Sequence, residues 1–200
     1  MLKSHEDGDT IIEVLFAITI FSLVAVGGLS IMNQGLGMAQ RALEIGLVRQ
    51  QIDTQADALR YLNHAYVADY GKRGQATTMW QRVIEDNAVT SAQEYSSMVN
   101  DRKCHVPTNR SFALNVQKLD TTPLISVTQA TVDNMDTYSK IRYDNDVAIS
   151  DGIWIQAVRS PVVDNQPGFY DFHIRACWNS PGQSVPLTLG TIVRLYEPRG

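Results

Sequence analysis

Val14-Leu15-Phe16-Ala17-Ile18-Thr19-Ile20-Phe21-Ser22-Leu23-Val24-Ala25-Val26-Gly27-Gly28-Leu29-Ser30-Ile31-Met32 is a run without a single charged residue, and Glu13 stands immediately ahead of it. At 1.5 Å per residue, a helix of this run is roughly 28 Å long, about the hydrocarbon thickness of a bilayer. The run therefore predicts one membrane-spanning helix. A carboxylate at its head is costly in lipid. Two readings of Glu13 stay open on hydropathy alone: a position near the headgroups, or a cationic partner inside an assembly.

Outward from the run, Met1 to Gly8 is polar and carries both signs of charge. A secretory signal would place its cleavage site after the apolar part, preceded by small residues in an Ala-x-Ala pattern. Here Ala25, Gly27 and Gly28 are embedded in the apolar stretch, and Leu29 to Met32 continue it. The apolar segment is expected to be retained, and any removed segment to be the polar octet.

Gly8-Asp9-Thr10-Ile11-Ile12-Glu13-Val14-Leu15, continued by the apolar run, resembles the processing and methylation signal of type IV prepilins and pseudopilins. The resemblance implies cleavage by a membrane prepilin peptidase between Gly8 and Asp9, N-methylation of Asp9, and Glu13 as the fifth mature residue. Asp9 stands where the family usually has phenylalanine or methionine. An α-amine exposed at Asp9 is cationic at neutral pH, and Glu13, about one helical turn away, can meet the amine of a neighbouring subunit in a staggered bundle. Pairing spares an isolated charge in an apolar setting. The Asp9 carboxylate competes for the same amine. Gly27, Gly28 and Ser30 allow close backbone approach or local loosening of the helix.

Beyond the membrane the helix is expected to run on, from about Thr10 to Tyr70. Leu36, Leu43, Leu47, Ile52, Ala56, Leu59, Leu62 and Tyr66 recur at three- and four-residue intervals, with Gln40, Arg41, Glu44, Arg49, Asp53, Gln55, Asp57 and Arg60 as the polar remainder. Gly71-Lys72-Arg73-Gly74 is the stop signal. A short helix is expected around Met79, Trp80, Val83 and Ile84, in a stretch that also holds Tyr95 and Met98. A turn is expected near Pro107 and Asn109, the start of a sheet at Ser111 to Val116, and irregular chain at Pro123 and at 133–138. Three antiparallel strands follow: Val147 to Val158, Phe169 to Trp178 with a period-two face, and, after the Asn179 to Gly182 turn, Leu187 to Tyr196. The fold class expected is α+β, a long N-terminal membrane-spanning helix packed at its C-terminal half against an antiparallel sheet. Residues 1–8 are read as leader, 9–34 as the transmembrane and assembly half of the helix, and 35–200 as a pilin-like head.

Chemical motifs are sparse. There is no HExxH, CxxC or phosphate-binding glycine loop, so neither an enzyme nor a cofactor is expected. The two cysteines, Cys104 and Cys177, fall in the exported part. In an oxidising compartment a disulfide between them closes a loop of about 74 residues, worth roughly 4 kcal/mol, and two buried free thiols are the other reading. Cys104-His105 raises a thiol-base pair, but neighbours on a strand point oppositely. His173 falls on the polar phase of its strand and is expected at the surface or a sheet edge. Asp144, Asn145, Asp146 and Asp151 could offer oxygens to calcium, without the spacing of an EF-hand loop, so a solvated turn is preferred.

The net charge of the chain is −4; losing Met1 to Gly8 removes Lys3, Glu6 and Asp7 and leaves −3. With no basic run longer than Lys72-Arg73 or Arg102-Lys103, nucleic acid is not an expected partner. Asn109-Arg110-Ser111 is a glycosylation sequon that short sequences meet by chance. The expected function is a structural subunit, major or minor, of a type IV pilus-like filament. Its precursor is single-pass in the cytoplasmic membrane, and the assembled chain lies in a surface or envelope-spanning filament. Expected partners are other pilin subunits, the prepilin peptidase, and the inner-membrane assembly platform with its ATPase. A pseudopilin of a type II secretion-like system and a solitary membrane-anchored binding protein are the alternatives.

Overall fold

The structure, a computed structural model, describes residues 9–92, 99–100, 103–107, 110–128, 132, 136–160 and 168–198. Two compact units divide the chain, Met1–Ala42 and Leu43–Gly200. Helix α1, Asp9–Ala68, supplies the described part of the first unit and the opening element of the second. The octet Met1 to Gly8, Tyr95, Met98, Asn109 and residues 133–135 lie outside the described residues.

In the second unit α1 is held by one face. Val48, Ile52, Ala56, Leu59 and Leu62 are buried at three- and four-residue spacing, as a 3.6-residue period requires of a stripe covering a core. The sequence reading is corrected in phase at the upper end: Leu36, Leu43 and Leu47 are exposed, whereas Glu44 and Val48, about 100° further round the helix, are buried. Gln55 and Asn63 also turn inward. Gln55 is 1% exposed, and its side chain both donates to the carbonyl of Leu114 at 3.0 Å and accepts from the amide of Leu114 at 2.7 Å.

Gly71, with φ of 78°, reverses the chain after α1 in a conformation that side chains resist. Helix α2, Gln75–Ile84, then buries Met79, Trp80 and Val83. The strands follow in chain order: β1 Ala88–Val89, β2 Val99–Asn100, β3 Lys103–Cys104, β4 Phe112–Leu114, β5 Leu124–Ser126, β6 Lys140–Asp144, β7 Val147–Asp151, β8 Ile153–Arg159, β9 Phe169–Trp178 and β10 Leu187–Tyr196.

The main sheet runs β10-β9-β8-β4-β5, with β1 added in parallel to β8. The three antiparallel strands read from sequence are thus joined by β4, β5 and β1. The stretch from Val147 to Val158 is two strands rather than one. β7 pairs with β6 in a separate hairpin, closed by a two-residue turn in which Asn145 and Asp146 take φ of 45° and 66°. Gly152, at φ of 71°, then redirects the chain so that β8 joins the main sheet.

Strand β9 shows how the sheet meets α1. Tyr170, Phe172, Ile174, Ala176 and Trp178 alternate onto the buried face. Phe172 reaches Trp80 at 5.7 Å between ring centroids, and Trp80 stacks on Tyr66 of α1 at 5.8 Å. One apolar cluster therefore joins α1, α2 and the sheet.

Candidate assembly segment and the chemistry of the head

In the first unit, Ile11 to Ala42 presents its apolar side chains outward: Phe16, Phe21, Leu23 and Ile31 are all exposed, Phe21 at 73%. By length and composition α1 can cross a membrane once, and it is the one helix among the described residues that can. Its polar atoms suit that setting. The Thr19 hydroxyl donates to the carbonyl of Phe16 at 2.8 Å, satisfied within its own helix. A β-carbon placed on Gly27 or Gly28 would meet nothing within 4 Å, so among the described residues no contact calls for a small residue at either position. Glu13 lies exposed near the start of this helix. Asp9 opens the helix, its side chain is not among those described, and Gly8 lies outside the described residues. No partner of Glu13 is therefore placed among the described residues.

In the head, Cys104 of β3 and Cys177 of β9 form a disulfide, with α-carbons 5.8 Å apart. Of the two readings of the cysteines, the crosslink is the one realised. It also removes the thiol-base idea, since the sulfur beside His105 is already bonded. Cys177 lies on the side of β9 opposite Trp178, and both cysteines are buried.

The indole of Trp178 donates to Oε2 of Glu44 at 3.2 Å, across 134 residues of sequence. Glu44, read from sequence as part of the polar remainder, is 4% exposed. A carboxylate every few residues along a helix carries no signal that one of them meets an indole more than a hundred residues later.

Asp151 is buried and accepts from Nε of Arg142 at 2.6 Å, whereas Asp144 and Asp146 are exposed, Asp146 lying 3.7 Å from Nζ of Lys118. The acidic stretch is thus divided between an ion pair and a solvated turn. Among the described residues no three His, Cys, Asp or Glu side chains come together to hold a metal.

Of the two places read for His173, surface or sheet edge, the edge is excluded: β9 lies between β8 and β10, and the side chain is half-buried on the outer face with Nδ1 3.3 Å from Nη2 of Arg175. On the same outer face Arg194 of β10 donates two hydrogen bonds to the cross-strand Asp171, each 2.8 Å, and its guanidinium carbon lies 4.0 Å from the centre of the Phe169 ring. Sequence periodicity places these residues on one face, but only the register, Arg194 opposite Asp171, makes them a pair.

These surroundings set a pH response. Burial, then the charge of Arg175, pushes the His173 imidazole below its ordinary value. The hydrogen bonds from Arg194 hold Asp171 below the usual carboxylate range. Both folded-state values are depressed, so each contribution is present above the group's unfolded pKa and is lost as the pH falls through the folded one. The urea midpoint should therefore drop on acidification below roughly pH 6.5, less so in His173→Gln, and again below roughly pH 4, less so in Asp171→Asn. Denaturation curves from pH 7 to pH 3 test both; a flat response between pH 7 and 5 in the parent protein would remove the His173 part.

No family model, no curated protein and no solved structure matches the chain.

Proposed function

We propose that the chain is a structural subunit of a type IV pilus-like filament, cut after Gly8 and assembled through the first half of α1. The observation that carries this reading is an apolar helix that the chain leaves uncovered from Ile11 onward, opening on the exposed Glu13 and containing Gly27 and Gly28 with space around them. A helix apolar all round is stable in lipid or inside a bundle of like helices, and in water it is neither soluble nor monomeric. Moving from one apolar setting to the other costs little, so subunits can leave the membrane for a filament core. In that core the carboxylate of Glu13 meets the α-amine of a neighbour.

The role is non-enzymatic. Its partners are sister subunits, a prepilin peptidase, and the inner-membrane platform with its ATPase. The precursor resides in the cytoplasmic membrane and the product in a surface or envelope-spanning filament. Both a pilus subunit and a pseudopilin of a type II secretion-like system fit this mechanism.

Co-expression with a prepilin peptidase should yield a chain beginning at Asp9, observed by mass spectrometry, with or without one added methyl group. Glu13→Leu should still insert into the membrane, because it makes the segment more apolar. Its recovery in the sheared filament fraction should fall by at least about tenfold, since the amine it leaves unpaired costs several kcal/mol in an apolar core. Asp9→Phe, which removes the competing carboxylate, should assemble at least as well as the parent. Parent protein retaining Met1, or absent from filaments that its neighbours form, would point instead to a solitary anchored binding protein.

A further inference from the structure

Among the described residues the sheet of the head ends at β10, a ten-residue strand bonded to β9 on one side and to no strand on the other. Two bonds fix the phase of the ladder: the amide of Glu197 donates to the carbonyl of Gly168 at 2.8 Å, and that of Cys177 to the carbonyl of Gly152 at 2.9 Å. In an antiparallel ladder the bonded residues alternate. Leu187, Leu189, Thr191, Val193 and Leu195 therefore exchange bonds with β9. Thr188, Gly190, Ile192 and Arg194 turn their N–H and C=O groups to the open edge, and Tyr196, the next in phase, has its carbonyl taken by Nδ2 of Asn63 at 3.3 Å.

Edge strands are ordinarily blunted by proline, lysine, a bulge or shortness. β10 contains neither proline nor lysine, its register with β9 is unbroken, and its single charge, Arg194, is already committed to Asp171. Beside the edge, on the α1 side, is a cleft of about 330 Å³ walled by Ile45, Ile52 and Leu189, with Arg49 and Asp53 one helical turn apart at its rim.

We propose that β10 and this cleft are a docking site for an extended segment of another protein, which adds a strand to the sheet. The main-chain groups of Thr188, Gly190, Ile192 and Arg194 supply the ladder. An apolar side chain of the incoming strand sits between Ile45, Ile52 and Leu189, and charged residues two positions before and after it meet Arg49 and Asp53.

An antiparallel second copy does not supply this strand. Antiparallel pairing of β10 with itself needs a two-fold axis normal to the sheet, which reverses the direction of the α1 segment lying on it. Two copies anchored in one membrane by the same end cannot take that arrangement, an exclusion that rests on the anchored reading above. The opposite edge of the sheet, β5, offers only three residues.

The test uses the full chain in detergent micelles and amide hydrogen exchange resolved by residue. Free protein should exchange quickly at Thr188, Gly190, Ile192 and Arg194 and slowly at Leu189, Thr191 and Val193. The probes are the capped peptide Thr-Glu-Thr-Leu-Thr-Lys-Thr and the same peptide with Glu and Lys interchanged. At saturation at least one should slow the four edge amides by about tenfold or more, while its N-methylated form should not. Ile192→Pro, which removes one outward N–H and leaves the β9 ladder, should abolish the effect with Thr191 and Val193 still protected. Thr188→Pro serves if Ile192→Pro does not fold.

Fast exchange in the free protein with no protection by either peptide at millimolar concentration overturns the proposal alone. Edge amides protected without peptide at every protein concentration overturn it by showing that the chain covers its own edge. Protection that grows with protein concentration overturns it in favour of self-pairing, and an antiparallel pair also contradicts the anchored orientation. The cleavage and filament measurements remain separate evidence on the latter.

Discussion

The double variant Cys104→Ala, Cys177→Ala should unfold with a stability lowered by about 4 kcal/mol, the chain-entropy value for a loop of this length. The crosslink spans 73 residues and ties β3, which lies outside the main sheet, to β9, an inner strand of that sheet. Without it the unfolded chain regains the freedom of that long loop, and β3 is left with β2 as its strand partner. Tryptophan fluorescence is a suitable readout in urea, because Trp80, Trp154 and Trp178 all lie in the core. Reductant added to the parent protein should lower the midpoint by a similar amount. A loss below about 1 kcal/mol would show that the loop is already constrained in the unfolded ensemble.

Gln55→Leu should cost about 3 kcal/mol, although it replaces a polar core residue by an apolar one of similar size. The reason is Leu114 of β4, whose N–H and C=O are both bonded by the Gln55 amide in a buried setting. Each orphaned buried group costs roughly 1 to 3 kcal/mol. Gln50→Leu, on the exposed side of the same helix, should change stability by less than about 0.5 kcal/mol. Comparable losses for the two would mean that Gln55 acts through helix propensity and not through β4.

Gln55 also marks where sequence reading ends. The long helix, its stop at Gly71 to Gly74, the short helix around Trp80, and β9 and β10 were legible because each has a local cause: an apolar run, a glycine reversal, a period of 3.6 or of 2. Which polar residues of α1 turn inward was not legible. Gln55 is fixed by a strand 59 residues away and Glu44 by an indole 134 residues away, and neither leaves a mark on its neighbours. β1 escaped notice because two residues, Ala88 and Val89, show no periodicity, and their place is set by the parallel register with Ala157 and Val158. The split at Gly152 was hidden by the apolar residues on both sides of it.

For the candidate assembly segment the order is reversed. Its apolar character was plain from composition, whereas the partner proposed for Glu13 belongs to another molecule and lies beyond what one folded chain can contain.

The bond between Glu44 and Trp178, and that between Asn63 and Tyr196 across 133 residues, also have a kinetic consequence. The inward face of α1 is made well before the strands that cover it. At 5 to 20 residues per second the helix waits on the order of ten seconds for its cover. The head therefore cannot mature vectorially, piece by piece, as it leaves the ribosome. It must collapse after its C-terminal strands have emerged, with contacts of high sequence separation that form slowly. During that interval Val48, Ile52, Leu59 and Leu62 are an exposed apolar stripe, and a chain shortened before β9 would keep them so and become a substrate for proteases rather than a smaller subunit.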